Sequence, residues 1–255
     1  MTQIAVLGTG RMGAAITRRL LSRGHEVTVW NRTEERMKPL VAAGAKAASA
    51  PADVDADVVI TMLTDAAAVR DVVAATSLRP GTVLVEMSTI GPEAVRELRV
   101  PEGVDLVDAP VLGSVGAAEA GQLNILAGGA VDHARPVLEA LGEVHDCGPL
   151  GSGAALKLVA NTALGTGLAA LAETVAVARA ANVDIDTALS VLAHGALGGA
   201  VRRAQQPDAA FPISLAVKDL DLALGLVSSP FVEAAAAVLR AAPDQSADLG
   251  TVVGA

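Results

Sequence analysis

Six residues near the start of the chain have the types and spacing needed to bind phosphate groups. Residues 8–13 read Gly-Thr-Gly-Arg-Met-Gly, a G-x-G-x-x-G pattern that follows an apolar run at 4–7 and precedes a helical stretch. The first glycine permits a tight turn, the second lets a diphosphate approach the backbone, and the third lets helix and strand pack closely. An ordinary glycine-rich turn is the alternative, but the βα units that follow favour dinucleotide binding. The expected contacts are Gly8, Gly10, Arg11, Met12 and Gly13.

The segment about 20 residues further on bears on which dinucleotide is bound. An NAD-selective site would present Asp or Glu there to the ribose 2'-hydroxyl, whereas this chain has Asn31, Arg32 and Thr33. No carboxylate repels a 2'-phosphate, and the Arg32 guanidinium is a forked donor that suits one. We therefore expect NADP(H). The alternative is that Arg32 is a solvated residue beside Glu34 and Glu35.

A lysine and an asparagine interrupt an apolar helical stretch in the middle of the chain. Lys157 and Asn161 stand four residues apart and therefore share one helix face. An unpaired buried ammonium is costly, so Lys157 must reach solvent, a partner charge or a functional cavity. It either extends to the surface or acts as a general acid/base in a cofactor cleft, with Asn161 orienting the substrate hydroxyl or the lysine. Spacing alone leaves both interpretations open.

The elements that must position these residues follow a regular order. Up to about residue 148, short β-rich runs alternate with Ala-rich helical stretches, which predicts a parallel sheet covered by helices. Helices alone are expected afterwards, the first running from the Gly151-Ser152-Gly153 turn to about Ala181. We predict an α/β, Rossmann-type doubly wound, mostly parallel sheet in residues 1–150 and an all-helical domain in residues 151–255. Strands are expected at 4–7, 27–30, 58–62, 83–86, 106–107, 123–126 and 144–146, and helices at 12–23, 33–43, 66–75 and 92–98.

Composition and charge restrict the possible partners. With 19 Lys+Arg against 28 Asp+Glu, the chain carries a formal charge of -9, which opposes nucleic-acid binding through a basic face. The single Cys147 excludes an internal disulfide and fits a reducing, cytoplasmic location. Residues 158–172 are interrupted by polar residues and glycines and fall short of the roughly 20 apolar residues that a bilayer requires, so no membrane span is expected.

Other features of the sequence point away from metal chemistry and toward self-association. No metal site is expected, because the four histidines are scattered without partners at i+3 or i+4. Asp219 and Asp221 stand two apart on a predicted helix and cannot share a face, which argues against a catalytic carboxylate pair. The long central helix is apolar on nearly every face, so we expect it to be buried, partly against a second subunit in a homodimer or higher homo-oligomer. The histidines are His25, His133, His145 and His194.

Four motifs along the chain, taken together, resemble one known family. They are the glycine motif at 8–13, Asp108-Ala109-Pro110-Val111 with its continuation through Gly113 to residues 120–123, Gly151-x-Gly153 with Lys157 and Asn161, and Lys218-Asp219-Leu220. Their order resembles that of the β-hydroxyacid dehydrogenases, which include 3-hydroxyisobutyrate dehydrogenases and glyoxylate or succinic semialdehyde reductases, with imine reductases as close structural relatives. The resemblance spans most of the chain and implies hydride transfer between nicotinamide and a small hydroxyacid or carbonyl substrate.

The resemblance also implies roles for individual residues. It makes Lys157 the catalytic acid/base and Asn161 its substrate-side partner. It also implies further cofactor contacts at two strand ends, Leu63 and Thr64 near the ribose and Ser88 and Thr89 near the nicotinamide. Lys218 is implied to reach toward the nicotinamide end of the cleft.

One segment departs from the family pattern. Where the family usually has Ser-Gly-Gly to hold a substrate carboxylate, this chain has Leu112, Gly113 and Ser114, whose N–H groups and Ser114 hydroxyl are still expected to bind substrate. Residues 194–199 lack a bulky aromatic often found there, and both changes suggest a roomier pocket for a larger or less polar carbonyl compound. Imine reductases usually replace the lysine, so Lys157 favours carbonyl chemistry. An imine reductase and a catalytically silent NADP-binding protein stay open as alternatives.

Overall fold

The computed structural model describes residues 2–206 and 209–254. Its chain divides into two compact units, Met1–Lys157 and Leu158–Ala255. The division falls inside the long central helix, because the first turn of that helix packs with the sheet: Ala154 belongs to the same apolar cluster as Val59 and Leu84.

The first unit is built on a nine-stranded sheet, counted over the described residues. All seven predicted strands are present, and two further strands of two residues each extend the sheet at places where the sequence shows no β-rich run. The strands are Gln3–Leu7 (β1), Glu26–Trp30 (β2), Lys46–Ala47 (β3), Val58–Thr61 (β4), Val83–Glu86 (β5), Asp105–Asp108 (β6), Val111–Leu112 (β7), Leu123–Gly129 (β8) and Gly142–Gly148 (β9).

The order of the strands confirms the predicted doubly wound architecture. The sheet runs β3-β2-β1-β4-β5-β6-β8-β7, with β9 paired to β8. The first six strands are parallel, in the order that dinucleotide-binding domains use. β8 runs antiparallel to both β6 and β7. In an open sheet of this kind ligands bind beyond the carboxyl ends of the parallel strands, on either side of the point where the strand order reverses. Here that point lies between β1 and β4.

The apolar strands are buried on both faces of the sheet. Val6 and Ile60 pack into a cluster on one face, whereas their neighbours Leu7 and Val59 pack into a cluster on the other. Successive side chains of a strand point to opposite faces, so a strand covered on both sides needs an unbroken apolar run.

Helices connect the strands of the first unit. The helix predicted at 33–43 is instead a 3₁₀ turn, Glu34–Arg36, followed by a separate short helix, because Pro39 lacks the N–H that a continuous helix would use and suits a helix start. The α-helices of this unit are Arg11–Ser22 (α1), Lys38–Ala42 (α2), Ala66–Ala74 (α3), Pro92–Glu97 (α4), Val115–Ala120 (α5) and Arg135–Glu139 (α6).

In its described part the second unit is built from helices, with one isolated antiparallel bridge between Pro212 and Asp248. Its helices are the later portion of Ser152–Ala180 (α7), then Ile185–Leu192 (α8), Gly198–Ala204 (α9), Ile213–Leu226 (α10) and Pro230–Arg240 (α11), followed by the 3₁₀ turn Leu249–Val253. Leu168, Leu171 and Val175 of α7 form one apolar core with Leu220 and Leu239. Arg203 and Asp248 join α9 to the final turn through two hydrogen bonds of 2.8 Å.

The long helix α7 is less buried than its sequence predicts. Its bounds agree with the predicted helix to about Ala181, but Leu156, Val159 and Val177 are 43%, 65% and 68% exposed. The expectation of burial on nearly every face is therefore wrong for the single chain: one apolar face packs in the core and another is open to solvent.

The same helix also corrects the expectation about membrane-spanning length. α7 continues through the polar residues and glycines of 158–172, and it is long and apolar enough to cross a membrane by length and composition. Its most apolar stretch of 18 residues has a mean hydropathy of 1.4, and 39% of that stretch is buried inside the chain. Core helices of soluble proteins meet the same criteria, so this property is weak evidence for a membrane location.

Candidate functional site

The glycine motif forms a tight turn between β1 and α1. Gly8 has a φ of +104° and donates its N–H to Trp30 O at 2.8 Å. A Cβ on Gly8 would overlap Met62 O, and a Cβ on Gly13 would overlap Gly8 O, so both positions require glycine. By contrast, no described atom outside Gly10 and its neighbours along the chain lies within 4 Å of the place where a Cβ on Gly10 would be. The turn is packed tightly from behind and open at its middle glycine.

The start of α1 has the properties of an anion site. Gly10 caps the helix without a side-chain hydrogen bond, and the first turn contains no acidic residue. The N–H groups at a helix start have no acceptor within the helix and carry partial positive charge. The Thr9 hydroxyl is buried, with 3% of the residue exposed, and has no hydrogen-bond partner among the described residues. These donors fit the diphosphate of a dinucleotide.

The polar segment after β2 is attached to this turn. Thr9 N donates to Asn31 Oδ1 at 3.0 Å, and Asn31 Nδ2 donates to Thr33 O at 2.9 Å. Arg32 lies between them with an exposed side chain. Asn31 therefore ties the glycine turn to the end of β2, and Arg32 is left available for an anionic group near the turn.

The loops after β4 and β5 meet at the same edge of the sheet. Leu63 N donates to Ser88 Oγ at 2.8 Å, which joins two of the residues that the family resemblance assigns to the cofactor. Thr64 is exposed and Thr89 is partly buried. The Leu63 side chain also reaches the glycine turn, since a Cβ on Gly8 would lie 2.8 Å from Leu63 Cδ2. The structure thus brings the two loops and the glycine turn together.

A buried glutamate lies beneath these loops. Glu86 is fully buried at the end of β5, where Ser88 N donates to its Oε1 at 2.5 Å and Thr61 Oγ1 donates to its Oε2. Burial raises the pKa of Glu86 to about 7, against the hydrogen bonds from Ser88 and Thr61, and the nearby Asp108 carboxylate adds to the rise. Sequence reasoning gave Glu86 no role, although one signal was present: a single charged residue ends a run of apolar β residues.

A second buried carboxylate fixes the start of α7. Asp108 Oδ1 accepts from Gly151 N, and Asp108 Oδ2 accepts from Ala154 N, both at 2.7 Å. Glycines leave room for this carboxylate. A Cβ added at Gly128 would lie 2.6 Å from Asp108 Oδ1, and a Cβ added at Gly153 would lie 3.0 Å from Asp108 Oδ2. Asp108 therefore sets where the helix that carries Lys157 begins.

Lys157 is directed at the short strand β7. Its Nζ donates to Val111 O at 2.7 Å, and the residue is partly buried. The segment that follows Val111 is the predicted substrate segment: Leu112 ends β7, Gly113 has a φ of +140°, and Ser114 caps α5 by accepting from Ala117 N at 3.2 Å. The amine is therefore held beside this segment by a neutral carbonyl.

The second unit contains a separate polar group on α7 and α10. Asn161 is buried, and its Nδ2 donates to Asp219 Oδ2. Lys218 Nζ lies 2.7 Å from Asp219 Oδ1, and Asp219 is 2% exposed. Two predicted site residues thus converge on an aspartate that sequence reasoning set aside. The only signal for it was the Lys-Asp pair itself. Three-quarters of the Lys218 side chain is covered, so its ion pair with Asp219 is not an exposed surface pair.

The histidines lie in unrelated places. His133 contacts Asp105, His145 contacts Asn124, and His194 contacts Ser190 O, at 3.0, 3.0 and 2.9 Å. Within 2–206 and 209–254, no group of three or more His, Cys, Asp or Glu side chains is placed to hold a metal ion. The absence of a metal site stays a prediction.

Comparison with known proteins agrees with the fold and with the glycine turn. Residues 3–151 match the NAD binding domain of 6-phosphogluconate dehydrogenase, and residues 151–248 match the NAD-binding family of NADP-dependent 3-hydroxyisobutyrate dehydrogenase. Glyoxylate/succinic semialdehyde reductase 2, chloroplastic, of Arabidopsis thaliana is 33% identical over 247 residues, which cover 89% of this chain and 69% of that protein.

Solved structures give the same result. 3-Hydroxyisobutyrate dehydrogenase of Mycobacterium tuberculosis, solved with L-serine, is 30% identical with a TM-score of 0.87, over 100% of this chain and 98% of that one. A reductive aminase from Aspergillus terreus, at 23% identity and a TM-score of 0.70 over 100% and 99% of the two chains, shares the fold. The resemblance predicted from the motifs is confirmed: the chain belongs to the β-hydroxyacid dehydrogenase family of 3-hydroxyisobutyrate dehydrogenases and related reductases, and it is an NAD(P)-dependent oxidoreductase.

Proposed function

We propose that the protein uses NADP(H) to interconvert a small carbonyl acid and the corresponding hydroxyacid, with Lys157 as the acid/base. The observation that carries this proposal is the position of the Lys157 amine, 2.7 Å from Val111 O and beside residues 112–114, in the unit that contains the glycine turn. Nicotinamide supplies or accepts the hydride when the cofactor is bound.

The choice of NADP(H) rests on the end of β2. Arg32 is exposed there without a carboxylate beside it in the Asn31-Arg32-Thr33 segment, so its guanidinium is suited to a 2'-phosphate. The match of residues 151–248 to a family named for an NADP-dependent enzyme supports the same choice. Gly8, Gly10 and the N–H groups at the start of α1 would hold the diphosphate.

The proton transfer is assigned to Lys157. In the reductive direction its ammonium donates a proton to the carbonyl oxygen, and in the oxidative direction the neutral amine accepts that proton from the hydroxyl. The hydrogen bond to Val111 O orients the amine. Asn161 follows Lys157 by one helical turn and is itself held by Asp219, so we assign it to substrate orientation.

The substrate class follows from the segment after β7. Gly113 and Ser114 are exposed and supply backbone N–H groups that can bind a carboxylate, whereas Leu112 replaces a hydroxyl by an apolar side chain. We therefore propose small aldehyde acids and keto acids with an apolar or longer chain. Retention of Lys157 favours these carbonyl substrates over imines.

Self-association is proposed through the open face of α7. Leu156, Val159, Ala163, Thr166 and Ala170 are spaced alternately by three and four residues, and the side chains at 156, 159 and 163 are exposed. Such a stripe is suited to packing against a second helix. We propose that a second copy of the chain covers it; light scattering of the purified protein would give a dimer or higher multiple of the 25.4 kDa chain. The cytoplasmic location stays a prediction.

The central experiment measures NADPH and NADH consumption with aldehyde acids, keto acids, simple aldehydes and cyclic imines. Lys157→Met should lower kcat by about 10² to 10⁴ on the best substrate while it retains cofactor affinity. Lys46→Met, which removes an exposed lysine paired with Glu26, is the matched control and should keep full activity. Unchanged turnover in Lys157→Met would refute the assignment, and activity confined to imines would favour the imine reductase.

Cofactor choice has its own test. Arg32→Gln should weaken NADPH binding by roughly 10- to 100-fold, because a charge-assisted contact to phosphate is lost, and should leave NADH binding unchanged. Arg23→Gln, which removes another exposed arginine at the far end of α1, should alter neither dissociation constant. Fluorescence titration with each nucleotide measures both constants. Equal effects of Arg32→Gln on NADPH and NADH would contradict selection by the 2'-phosphate.

A further inference from the structure

Three polar side chains form a row across the middle of the sheet. Thr61, Glu86 and Asp108 end β4, β5 and β6 and are register partners, so they lie side by side on one face. All three are fully buried, on the face whose other side chains, such as Leu84, form an apolar cluster. A glutamate at the centre of such a row is costly to bury, and no step of the proposed reaction uses it.

Glu86 is connected to the glycine turn through three successive contacts. Ser88 N donates to Glu86 Oε1 at 2.5 Å, and Leu63 N donates to Ser88 Oγ at 2.8 Å. The Leu63 side chain and the Met62 carbonyl then lie against Gly8, where they leave no space for a Cβ. The first contact is local to the end of β5, whereas the second and third join segments that are distant in sequence and close in the sheet.

We propose that Glu86 is a positioning residue for the cofactor: its carboxylate holds the loops after β4 and β5 against the glycine turn, and its charge state sets cofactor affinity. This inference rests on the proposed NADP(H) function. Glu86 has no exposed surface, and both of its oxygens are occupied, so it acts through Ser88 and Leu63 rather than by touching the cofactor.

The charge on Glu86 matters because of what it accepts. A carboxylate accepts hydrogen bonds from Ser88 N and from the Thr61 hydroxyl at once, and charge-assisted bonds are roughly twice as strong as neutral ones. The protonated acid has one donor oxygen, so the Thr61 hydroxyl must then turn toward Val85 O, 3.4 Å away. Burial raises the pKa of Glu86 to about 7, and the charged group facing it among the described residues is Asp108 on β6. Both forms are therefore populated near neutral pH.

The test is the dissociation constant of NADPH and of NADH, measured by fluorescence titration from pH 6 to 8.5. Glu86→Gln keeps an acceptor for Ser88 N and stays neutral. At each pH the dissociation constant of Glu86→Gln is divided by that of the wild type. We expect this ratio to rise about fivefold as the pH rises through 7. A change that both proteins share belongs to the cofactor phosphate.

Two threonine variants provide a matched comparison. Thr61→Val removes a hydrogen bond that stabilises the carboxylate, so it should move the midpoint of the pH dependence upward. Thr82→Val removes a buried hydroxyl of the same kind, bonded to Ala56 O at 3.2 Å before the start of β5, and should leave the midpoint unchanged.

The outcomes separate this inference from the function on which it rests. Failure of the wild type to bind either nucleotide overturns the proposed function and this inference with it. If the wild type binds tightly and the ratio of its dissociation constant to that of Glu86→Gln is independent of pH, the positioning role alone is overturned. Equal midpoint shifts in Thr61→Val and Thr82→Val would show a general effect of losing a buried hydroxyl and would also overturn it.

Discussion

The two units of the chain stabilise their buried carboxylates by different means. In the first unit, the carboxylates of Glu86 and Asp108 accept hydrogen bonds from backbone N–H groups, and Glu86 also from a threonine hydroxyl. In the second unit, Asp219 lies 2.7 Å from the Lys218 ammonium and Asp248 lies 2.8 Å from the Arg203 guanidinium.

The difference follows from where backbone donors are available. The ends of parallel strands and the starts of helices leave N–H groups without partners, and a carboxylate placed there is satisfied by the backbone. Inside an all-helical unit most N–H groups are used by the helices, so a buried carboxylate depends on side-chain donors: Asp219 is contacted by the Lys218 ammonium and the Asn161 amide. Asp248 lies between the two cases, because Phe211 N and Gly250 N, both outside helix interiors, also donate to it.

The largest effect is expected from breaking the largely covered ion pair of the second unit. Arg203→Met should lower the free energy of unfolding by about 3–5 kcal/mol, because it leaves the Asp248 carboxylate, whose side chain is 8% exposed, without its cation. Arg240→Met removes an exposed ion pair with Asp221 in the same unit and should cost less than about 1 kcal/mol. Urea unfolding measures both, and similar losses would mean that burial does not distinguish the pairs.

A smaller effect is expected where backbone donors replace the cation. Asp108→Ala leaves Gly151 N and Ala154 N without their acceptor and should cost about 2–4 kcal/mol. Asp184→Ala removes an exposed cap of α8 and should cost less, because water replaces the lost acceptor. Added salt should leave the Asp108→Ala loss unchanged, and a strong salt dependence of that loss would contradict a role based on hydrogen bonds alone.

Glu86→Gln should change the pH dependence of stability. The folded-state pKa of about 7 lies above the ordinary value of 4.5, so the stabilising contribution of Glu86 is complete below pH 4.5 and is lost as the pH rises through 7. The free energy of unfolding of Glu86→Gln should therefore rise by up to about 3 kcal/mol relative to that of the wild type between pH 4.5 and 7. Above pH 7 the difference should stay constant. If the free energy of unfolding of Glu86→Gln instead fell relative to that of the wild type between pH 4.5 and 7, the raised pKa of Glu86 would be refuted.

The smallest effect is expected at the surface of the first unit. Hydrogen bonds from Gln3 N and from Arg79 lower the pKa of Asp57, so its contribution is present above pH 3.8 and is lost as the pH falls below that value. Because Asp57 and Arg79 are exposed, Arg79→Ala should change the unfolding midpoint only slightly, and about 0.5 M salt should remove the change. A loss as large as that of Asp108→Ala would contradict the contrast between buried and exposed carboxylates.

Much of the fold was predictable from local pattern. The apolar runs predicted seven strands, the glycine motif predicted the turn after β1, and the apolar stretch after residue 151 predicted the length of α7. The two-residue strands β3 and β7 were not predictable, because they have too few residues to show an alternation and exist only through pairing with β2 and β8.

The candidate site was predictable where its residues carry a motif. Lys157, Asn161 and Lys218 came from such patterns, and the family to which they point is confirmed, while their individual roles stay predictions. Glu86 and Asp219 have no motif of their own beyond one acidic residue in an apolar setting. Their importance depends on which donors surround them, and some of those donors come from segments 25 and 58 residues away, Thr61 for Glu86 and Asn161 for Asp219.

By itself, the sequence determined the order of the elements, the dinucleotide-binding turn and the position of the lysine along its helix. Each of these features depends on residues that are close together in the sequence. Only the tertiary structure decided that Thr61, Glu86 and Asp108 share one row, and that the Lys157 amine meets Val111 O. Strand register and helix placement bring together groups that no local pattern relates, and burial then turns ordinary polar residues into the ones that hold the site.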